Sequence, residues 1–479
     1  MRLYQLVLVE VAAALVLLAW VAPGGGRGLL VAAVAVAALL AVPALVYRGR
    51  RPLVEWLVAA HGMRRRVRRS AVGVRSGGRH AAGVPAAPGM PGAGAPGASA
   101  APVPGEGRYA AGAAAAVPDL PGAASGAVRA GGARRSGGTA APPGAPATAD
   151  TVIPPARTVA PALAPVVECE PALRTGSFTD RSGRTVGVIG DGTFVTAVLR
   201  IDPAEGPLRA PRAQSALPLA LLRDGMEVDG IRLESVQVVQ HTLPAPAPQL
   251  EAEALAARNY APLHGMSGSP AARLTWVALK LDPELCPDAV AARGGGEAGA
   301  RRCVLRAADQ LASRLRGAGF RAVVLSEGGL AAAVATAANV NPVATAQSDQ
   351  SVRAGAPARR TAELPRAWRC DDRWHTTYGV GRPPRPGAAP LPQLAASLTS
   401  IPALSTTLSV TLGRGRVRDG QHVPTLTGHI RVTGRSADEL AASRRELERA
   451  ARSVRVGLVR LDHEQVPGVL ATLPLGGTR

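Results

Sequence analysis

Three short stretches hold the residue types from which an active site could be built. Gly294-Gly295-Gly296-Glu297-Ala298-Gly299 fits G-x-G-x-x-G, lies between a predicted strand and a predicted helix, and is followed after the next strand by Glu327. A dinucleotide site uses such glycines to bring backbone N–H groups against a pyrophosphate, with an acid on the ribose. That fingerprint needs the turn directly after its strand, and here the glycines begin 13 residues beyond it. A flexible loop entering a helix explains the match without a ligand. Cys370-Asp371-Asp372-Arg373-Trp374-His375 gathers a thiol, two carboxylates and an imidazole. Zinc needs about four ligands in a closed set. Cys169, Cys286 and Cys303 are distant, and no C-x-x-C occurs. Acid–base work by Asp371 and Asp372 is disfavoured because neighbours on a strand face opposite sides. The stretch reads as a surface turn entering a strand, with Trp368 and Trp374 as packing anchors. His264-Gly265-Met266-Ser267-Gly268-Ser269 approaches a nucleophile elbow but lacks its final glycine. No Walker motif is present. The reading assigns no catalytic, cofactor-binding or metal residue, and no cofactor.

The elements that would position these residues follow from apolar periodicity. Thr185–Ile189 and Thr193–Ile201 form a predicted hairpin turning at Asp191-Gly192. Ile231–His241 and Leu274–Leu281 are further strands. Arg301–Leu315 is an amphipathic helix ended by Gly317 and Gly319, followed by a strand at Ala322–Leu325 and a helix at Gly329–Ala338. Leu404–Leu412 and Thr425–Thr433 are strands joined by an arginine-rich loop. Ser436 caps a helix running to about Arg452, with Asp438 and Glu439 in its first turn. Val454–Leu461 and Gln465–Leu473 complete the chain as strand and short helix. Strand, long helix, strand and short helix thus occur twice, near 274–338 and 425–473. An ancient duplication and convergent layering both produce such a pattern. The predicted fold is an α/β (mixed α+β) body of layered helices and mixed sheets over 166–479, in one unit or in two related units split near 345–400.

Before this body the composition changes character. The chain has 479 residues, 55 basic against 34 acidic, with Lys280 its only lysine. Four cysteines cannot staple a chain of this length. Leu3–Ala22 and Leu29–Tyr47 are apolar runs of the length that crosses about 30 Å of hydrocarbon. Only Pro23–Gly28 joins them, so residues 1–50 read as a transmembrane helical hairpin. A cleaved signal peptide competes for the first run, but the run is long, its start is weakly basic and a second run follows. Ten arginines lie between Arg48 and Arg79 against one in the turn, which puts both termini in the cytoplasm of a multi-pass inner-membrane protein. The cysteines would then be reduced. Glu10 is a costly carboxylate within the first run, read as protonated, snorkelling or facing a partner subunit. Residues 51–70 form a basic interfacial segment in which Arg64, Arg65, Arg66, Arg68 and Arg69 would attract anionic lipid. Residues 71–165 hold 18 Gly and 15 Pro and one aromatic residue, Tyr109. That composition predicts a disordered linker, allowing the body to sit well away from the membrane. Residues 1–165 carry 17 Arg and 5 acids, while the remainder carries 38 basic and 29 acidic residues. The body is therefore only mildly basic, which argues against a nucleic-acid partner.

Several phrases resemble one family. They are Leu274-Thr275-Trp276-Val277-Ala278-Leu279-Lys280-Leu281-Asp282-Pro283, the Arg293-Gly294-Gly295-Gly296 loop, and Glu363-Leu364-Pro365-Arg366-Ala367-Trp368 with Trp374-His375-Thr376-Thr377-Tyr378. Leu461-Asp462-His463-Glu464-Gln465 and Ala471-Thr472-Leu473-Pro474-Leu475-Gly476 complete the set. Together with the plan of hairpin, basic patch, tether and α/β body, they are similar to EccE, a membrane subunit of the actinobacterial type VII (ESX) secretion system. The resemblance spans the hairpin and roughly 170–479, and leaves out the tether. It implies a non-catalytic, peripheral structural subunit packed on the inner-membrane core beside EccB, EccC and EccD, with EccC supplying the ATPase. The family has no established catalytic residues to carry over. A membrane-tethered enzyme with a sugar or nucleotide site in the body is the alternative that remains open, and a membrane-anchored nucleic-acid regulator is a third.

Overall fold

The computed structural model describes residues 58–68, 160–180, 183–203, 217–244, 272–353, 358–382, 391–418 and 421–477, with short pieces besides. Contacts group Met1–Arg79 with Thr158–Arg479; the other unit, His80–Arg157, lies outside the described residues. So do nearly all of the two apolar runs, Glu10 and Arg69. Among the described residues no helix is long and apolar enough to cross a membrane.

Helix α1 spans residues 58–68. A 3-10 turn at Pro161–Leu163 and helix α2 (Ala164–Cys169) come first among the described residues of the body. Strands β1 (Arg174–Thr179), β2 (Thr185–Gly190) and β3 (Val195–Pro203) follow. Helix α3 (Leu219–Asp224) precedes β4 (Ser235–Leu243) and β5 (Ala272–Leu281). Helices α4 (Pro287–Ala291) and α5 (Gly296–Gly317) lead to β6 (Phe320–Val324), α6 (Glu327–Ala337) and α7 (Pro342–Arg353). Then come β7 (Thr361–Glu363), β8 (Trp368–Cys370), β9 (Arg373–Arg382) and α8 (Leu391–Thr399). Strands β10 (Ser405–Arg418) and β11 (Gln421–Gly434), helix α9 (Ala437–Ser453), β12 (Gly457–Arg460) and α10 (Gln465–Ala471) end the series.

Twelve of these strands form one sheet, in the order β7-β8-β9-β11-β10-β4-β5-β3-β2-β1, with β6 beside β3 and β12 beside β9. Every pairing in it is antiparallel, which corrects the expectation of mixed sheets. The reason lies in the crossovers. After β5, α5 carries the chain past β3 before β6 is laid down, so the two strands that run the same way never touch. After β11, α9 does the same across β9. Elements β3-α3-β4-β5-α5-β6 therefore make a split β-α-β unit with strand order β6-β3-β5-β4, as in ferredoxin-like folds. Elements β9-α8-β10-β11-α9-β12 repeat it with order β12-β9-β11-β10. The corresponding strands β4 and β10 pair antiparallel from Ser235↔Gly413 to Thr242↔Thr406, as a two-fold axis normal to the sheet would arrange them. The arginine-rich segment expected as a loop continues both strands instead, with Val417 opposite His422 and Arg418 opposite Gln421.

Strand alternation sorts the side chains between two helical layers. Val277, Leu279 and Leu281 of β5 meet α5 through Val304, Leu311 and Leu315. Ile430, Val432 and Tyr378 meet α9 through Leu440 and Leu447 on the same side. On the opposite face, Trp276, Ala278 and Val239 pack with Leu330 and Val334 of α6 and Val466 and Val469 of α10. Ser436 caps α9 by accepting from Glu439 N, as its sequence position requires.

Candidate functional site

The sequence motifs resolve into packing devices. Gly294, Gly295 and Gly296 all take positive φ, and they turn the chain between α4 and α5 rather than between a strand and a helix. A Cβ on Gly299 would stand 2.4 Å from Val290 O, so this glycine allows α5 to pass close against α4. Glu327 opens α6 on the other face of the sheet from α5. Asp371 and Asp372 form a hairpin turn with separate partners. Asp371 takes positive φ and binds Arg360 through two bonds of 2.8 Å, with both side chains buried. Asp372 accepts from Asn341 and Arg373. Asp372 is exposed at this turn, which enters β9 as expected, while Cys370 and His375 on the flanking strands are fully buried. Burial pushes the Cys370 thiol well up and Cys169 up to about 12, which removes both as thiolates. The Ser267 stretch lies outside the described residues. No group of potential metal ligands assembles among the described residues.

Sequence reasoning did not foresee a polar seam across the middle of the buried sheet face. Three strands there alternate apolar with polar: Ser405, Thr407, Ser409 and Thr411 on β10, His429, Arg431 and Thr433 on β11, and Gln237 and His241 on β4. Most of these side chains are wholly buried. The chain beyond α10 runs along one half of the seam, and sheet side chains bind its backbone. Ser409 Oγ and Gln237 Nε2 donate to Ala471 O at 2.7 and 2.8 Å. Gly476 N donates to Gln237 Oε1 at 2.9 Å, Ser235 Oγ donates to Gly476 O, and Thr196 Oγ1 donates to Leu475 O at 3.1 Å. Buried polar groups need partners, and here the partner is a returning backbone.

The other half of the seam holds Arg431 under the C-terminal end of α6. Its Nη2 donates to Ala337 O and to Thr407 Oγ1. The carbonyl end of a helix favours a cation. Arg431 Nε and Nη1 find no acceptor among the described residues, and burial lowers the guanidinium to about 9. His241 Nδ1 lies 2.9 Å from Thr407 Oγ1, and His375 Nδ1 lies 3.0 Å from Thr433 Oγ1. Burial and the nearby Arg431 push His241 down to about 3 and His375 well below its ordinary value, so both imidazoles are neutral at pH 7. Among the described residues no carboxylate hydrogen-bonds to any of these groups. Both Thr–His pairs are sealed from solvent. The described surface also carries a shallow apolar hollow lined by Leu163, Val166, Leu173 and Ile189, which offers a substrate nothing polar except Arg174 and Thr175.

The basic segment divides into two faces. Ala59 is buried and Gly62, Met63 and Arg66 are half-buried, while His61, Arg64, Arg65 and Arg68 are exposed. Arg66 Nε and Nη2 grip the two oxygens of Glu363 at 2.9 and 2.8 Å, and Nη2 also donates to His463 O at 2.7 Å.

These positions can be set against known proteins. Residues 269–380 match the model of "EccE: Putative type VII ESX secretion system translocon, EccE". This stretch is what the chain shares with the EccE family. No curated protein matches the chain. A structure of alkyldihydroxyacetonephosphate synthase aligns with 57% of this chain at 8% identity and a TM-score of 0.22, and the chain spans 42% of that protein's length. So slight a likeness says nothing of fold or activity. The EccE stretch runs from β5 to β9, across both ferredoxin-like units. It supplies Trp276, Lys280, Arg360, Glu363, Trp368 and His375, and its Asn339 donates to Ser405 Oγ outside it. Three of the phrases that carried the EccE resemblance, far apart in sequence, meet on the seam face: Trp276, Trp368, Leu473 and Leu475 share one core.

Proposed function

We propose that the chain is a non-catalytic membrane subunit of a type VII protein secretion machinery. It packs at the periphery of the inner-membrane core complex and stabilises it. The EccE match over residues 269–380 carries this reading. The buried state of the seam supports it, since the groups capable of chemistry have no open route to a substrate. Residues of both apolar runs support the anchor: Leu17, Leu18, Val34 and Val36 are helical and exposed, as lipid-facing positions are. The hairpin spans the membrane with both termini in the cytoplasm. Glu10 faces a partner helix within the assembly, and Arg64, Arg65, Arg68 and Arg69 form the contact zone with anionic lipid and neighbouring subunits, whereas Arg66, expected among them, is turned to Glu363. EccB, EccC and EccD are the partners, and nucleic acid is not one.

The test is purification of the native complex. A C-terminally tagged chain is solubilised from its own membranes in mild detergent, and co-purifying proteins are identified by mass spectrometry. EccB, EccC and EccD homologues in one large species are the expected result. Recovery of the chain alone, under conditions that hold those partners together, overturns the reading and restores the tethered-enzyme alternative.

A further inference from the structure

Helix α1 follows the second apolar run in sequence after ten residues, and its two faces have different chemistry. The inner face, residues 59, 62, 63 and 66, is turned to the body. Ala59 is 4% exposed. Arg66 reaches almost 300 residues along the chain to Glu363, whose side chain is only 4% exposed. A planar guanidinium holding both carboxylate oxygens is a geometry that fixes orientation as well as distance. Glu363 Oε1 also accepts from Val466 N at 3.3 Å, in the first turn of α10. Met63 Sδ lies 3.4 Å from His463 Nδ1. Helix α1 is thereby fastened to edge strand β7 and to the loop entering α10. The outer face, residues 61, 64, 65 and 68, follows the i, i+3, i+4, i+7 spacing and carries three arginines and a histidine. Val58 and Val67, at 67% and 42% exposure, flank it. A helix with a cationic face and exposed apolar flanks suits the head-group layer of an anionic bilayer.

We infer that α1 is a clasp: Arg66 and Glu363 hold the α/β body against the bilayer, with His61, Arg64, Arg65 and Arg68 turned to anionic lipid head groups. This rests on the lipid-contact reading above and adds the body's position to it. Ten residues separate Tyr47 from Val58. Fully extended they reach no more than about 40 Å, so the closed clasp keeps the body within that distance of the apolar run. The glycine- and proline-rich segment leaves the clasped helix and returns to the body at residue 160. Its length therefore does not set the body's distance from the membrane, which replaces the spacer role expected from composition.

The experiment uses the full chain in nanodiscs of phosphatidylcholine, with or without phosphatidylglycerol. In one arm, p-benzoylphenylalanine replaces Met63, and cross-linked peptides are read by mass spectrometry. A link to the segment around His463 is expected in both lipids. R66E should lower its yield about tenfold or more, as removing one partner of a partly buried charge pair does. R66E/E363R should recover part of it, and R66Q gives a milder variant should the charge reversal misfold. In the second arm a polarity-sensitive dye is placed at His61→Cys in a C169S background, the other three cysteines being buried. Its emission should shift to the blue only with phosphatidylglycerol. Absence of the 63–463 link in the wild type, or indifference of its yield to both Arg66 variants, overturns the clasp. A link with no lipid-dependent shift leaves the clasp and overturns the lipid face. A shift on adding duplex DNA but not phosphatidylglycerol replaces the bilayer with nucleic acid as occupant.

Discussion

Histidines 241 and 375 are neutral because the sheet face that carries them is sealed by α6 and α10. In the unfolded chain each would titrate near its ordinary value of about 6.5. Below that pH the unfolded state binds more protons, so folding stability falls with pH, and for His241 the fall continues to about 3. Each such group adds a slope of up to about 1.4 kcal/mol per pH unit. H241Q should flatten the dependence of unfolding free energy between pH 4 and 6 by about that slope. Denaturant melts of the detergent-solubilised chain at several pH values measure this, and an unchanged slope would show that His241 is protonated in the folded state. Arg360 makes the converse point. It pairs with Asp371, both side chains being under 8% exposed, and also donates to Thr345 Oγ1 at 2.9 Å. R360A strands a buried carboxylate and should cost about 3–5 kcal/mol. R306A removes a pair in which both partners are about half exposed and should cost under about 1 kcal/mol. Thermal unfolding of the two variants side by side checks the contrast.

Among the elements, the segment after α10 has the least regular structure and some of the strictest steric demands. Gly476 and Gly477 take φ of 92° and 84°. A Cβ at Gly476 would stand 2.5 Å from Lys280 Cβ, and one at Gly477 would stand 2.8 Å from Thr411 Cγ2. Each substitution to alanine adds left-handed strain to overpacking, and G476A should destabilise by about 2–4 kcal/mol. Truncation after Ala471 should do more, because Ser235 and Thr196 lose their backbone partners, Gln237 loses one of its two, and Leu473 and Leu475 leave the core. Loss of near-UV circular dichroism at lower denaturant in both variants is the expected readout. A wild-type midpoint for the truncation would mean that the segment contributes nothing to the core.

At the scale of the molecule, the two ferredoxin-like units are bound by more than the β4–β10 pairing. The segment after α10 starts from the second unit and is held by Thr196, Ser235 and Gln237 of the first. Arg360 and Thr361 are held through backbone N–H groups by Glu168, which precedes the first unit. Each unit expressed alone would expose a long central strand edge and a polar seam with no cover, which favours aggregation. Cleavage at a protease site introduced at 354–357 should leave one stable particle with a single unfolding transition, and the separate pieces should be insoluble. Gel filtration and calorimetry decide; two independently melting pieces would show that the units merely adjoin.

The sequence alone marked most of the long elements, but not β1, β7, α3, α7 or α8. Asp191-Gly192 marked a hairpin, Leu305, Leu311 and Leu315 a helix face, Ser436 a cap, and the phrases around Trp276 and Trp368 the EccE resemblance. These are local signals, set by turn chemistry, periodicity and capping. The second occurrence of strand, long helix, strand and short helix was readable too, but not the β-strand order that makes each a split unit. Tertiary structure decided the rest. On β10 and β11 the run of Ser, Thr, His and Arg at every second position reads as a solvent face, because period 2 tells which residues share a face and not what covers it. Cover came from α6, α10 and the final residues, distant in the chain, and it turned a wet face into a buried seam. Arg66 looked like one of five equivalent arginines. Its difference from Arg64, Arg65 and Arg68 lies only in Glu363, a partner that folding brings to it from across the chain.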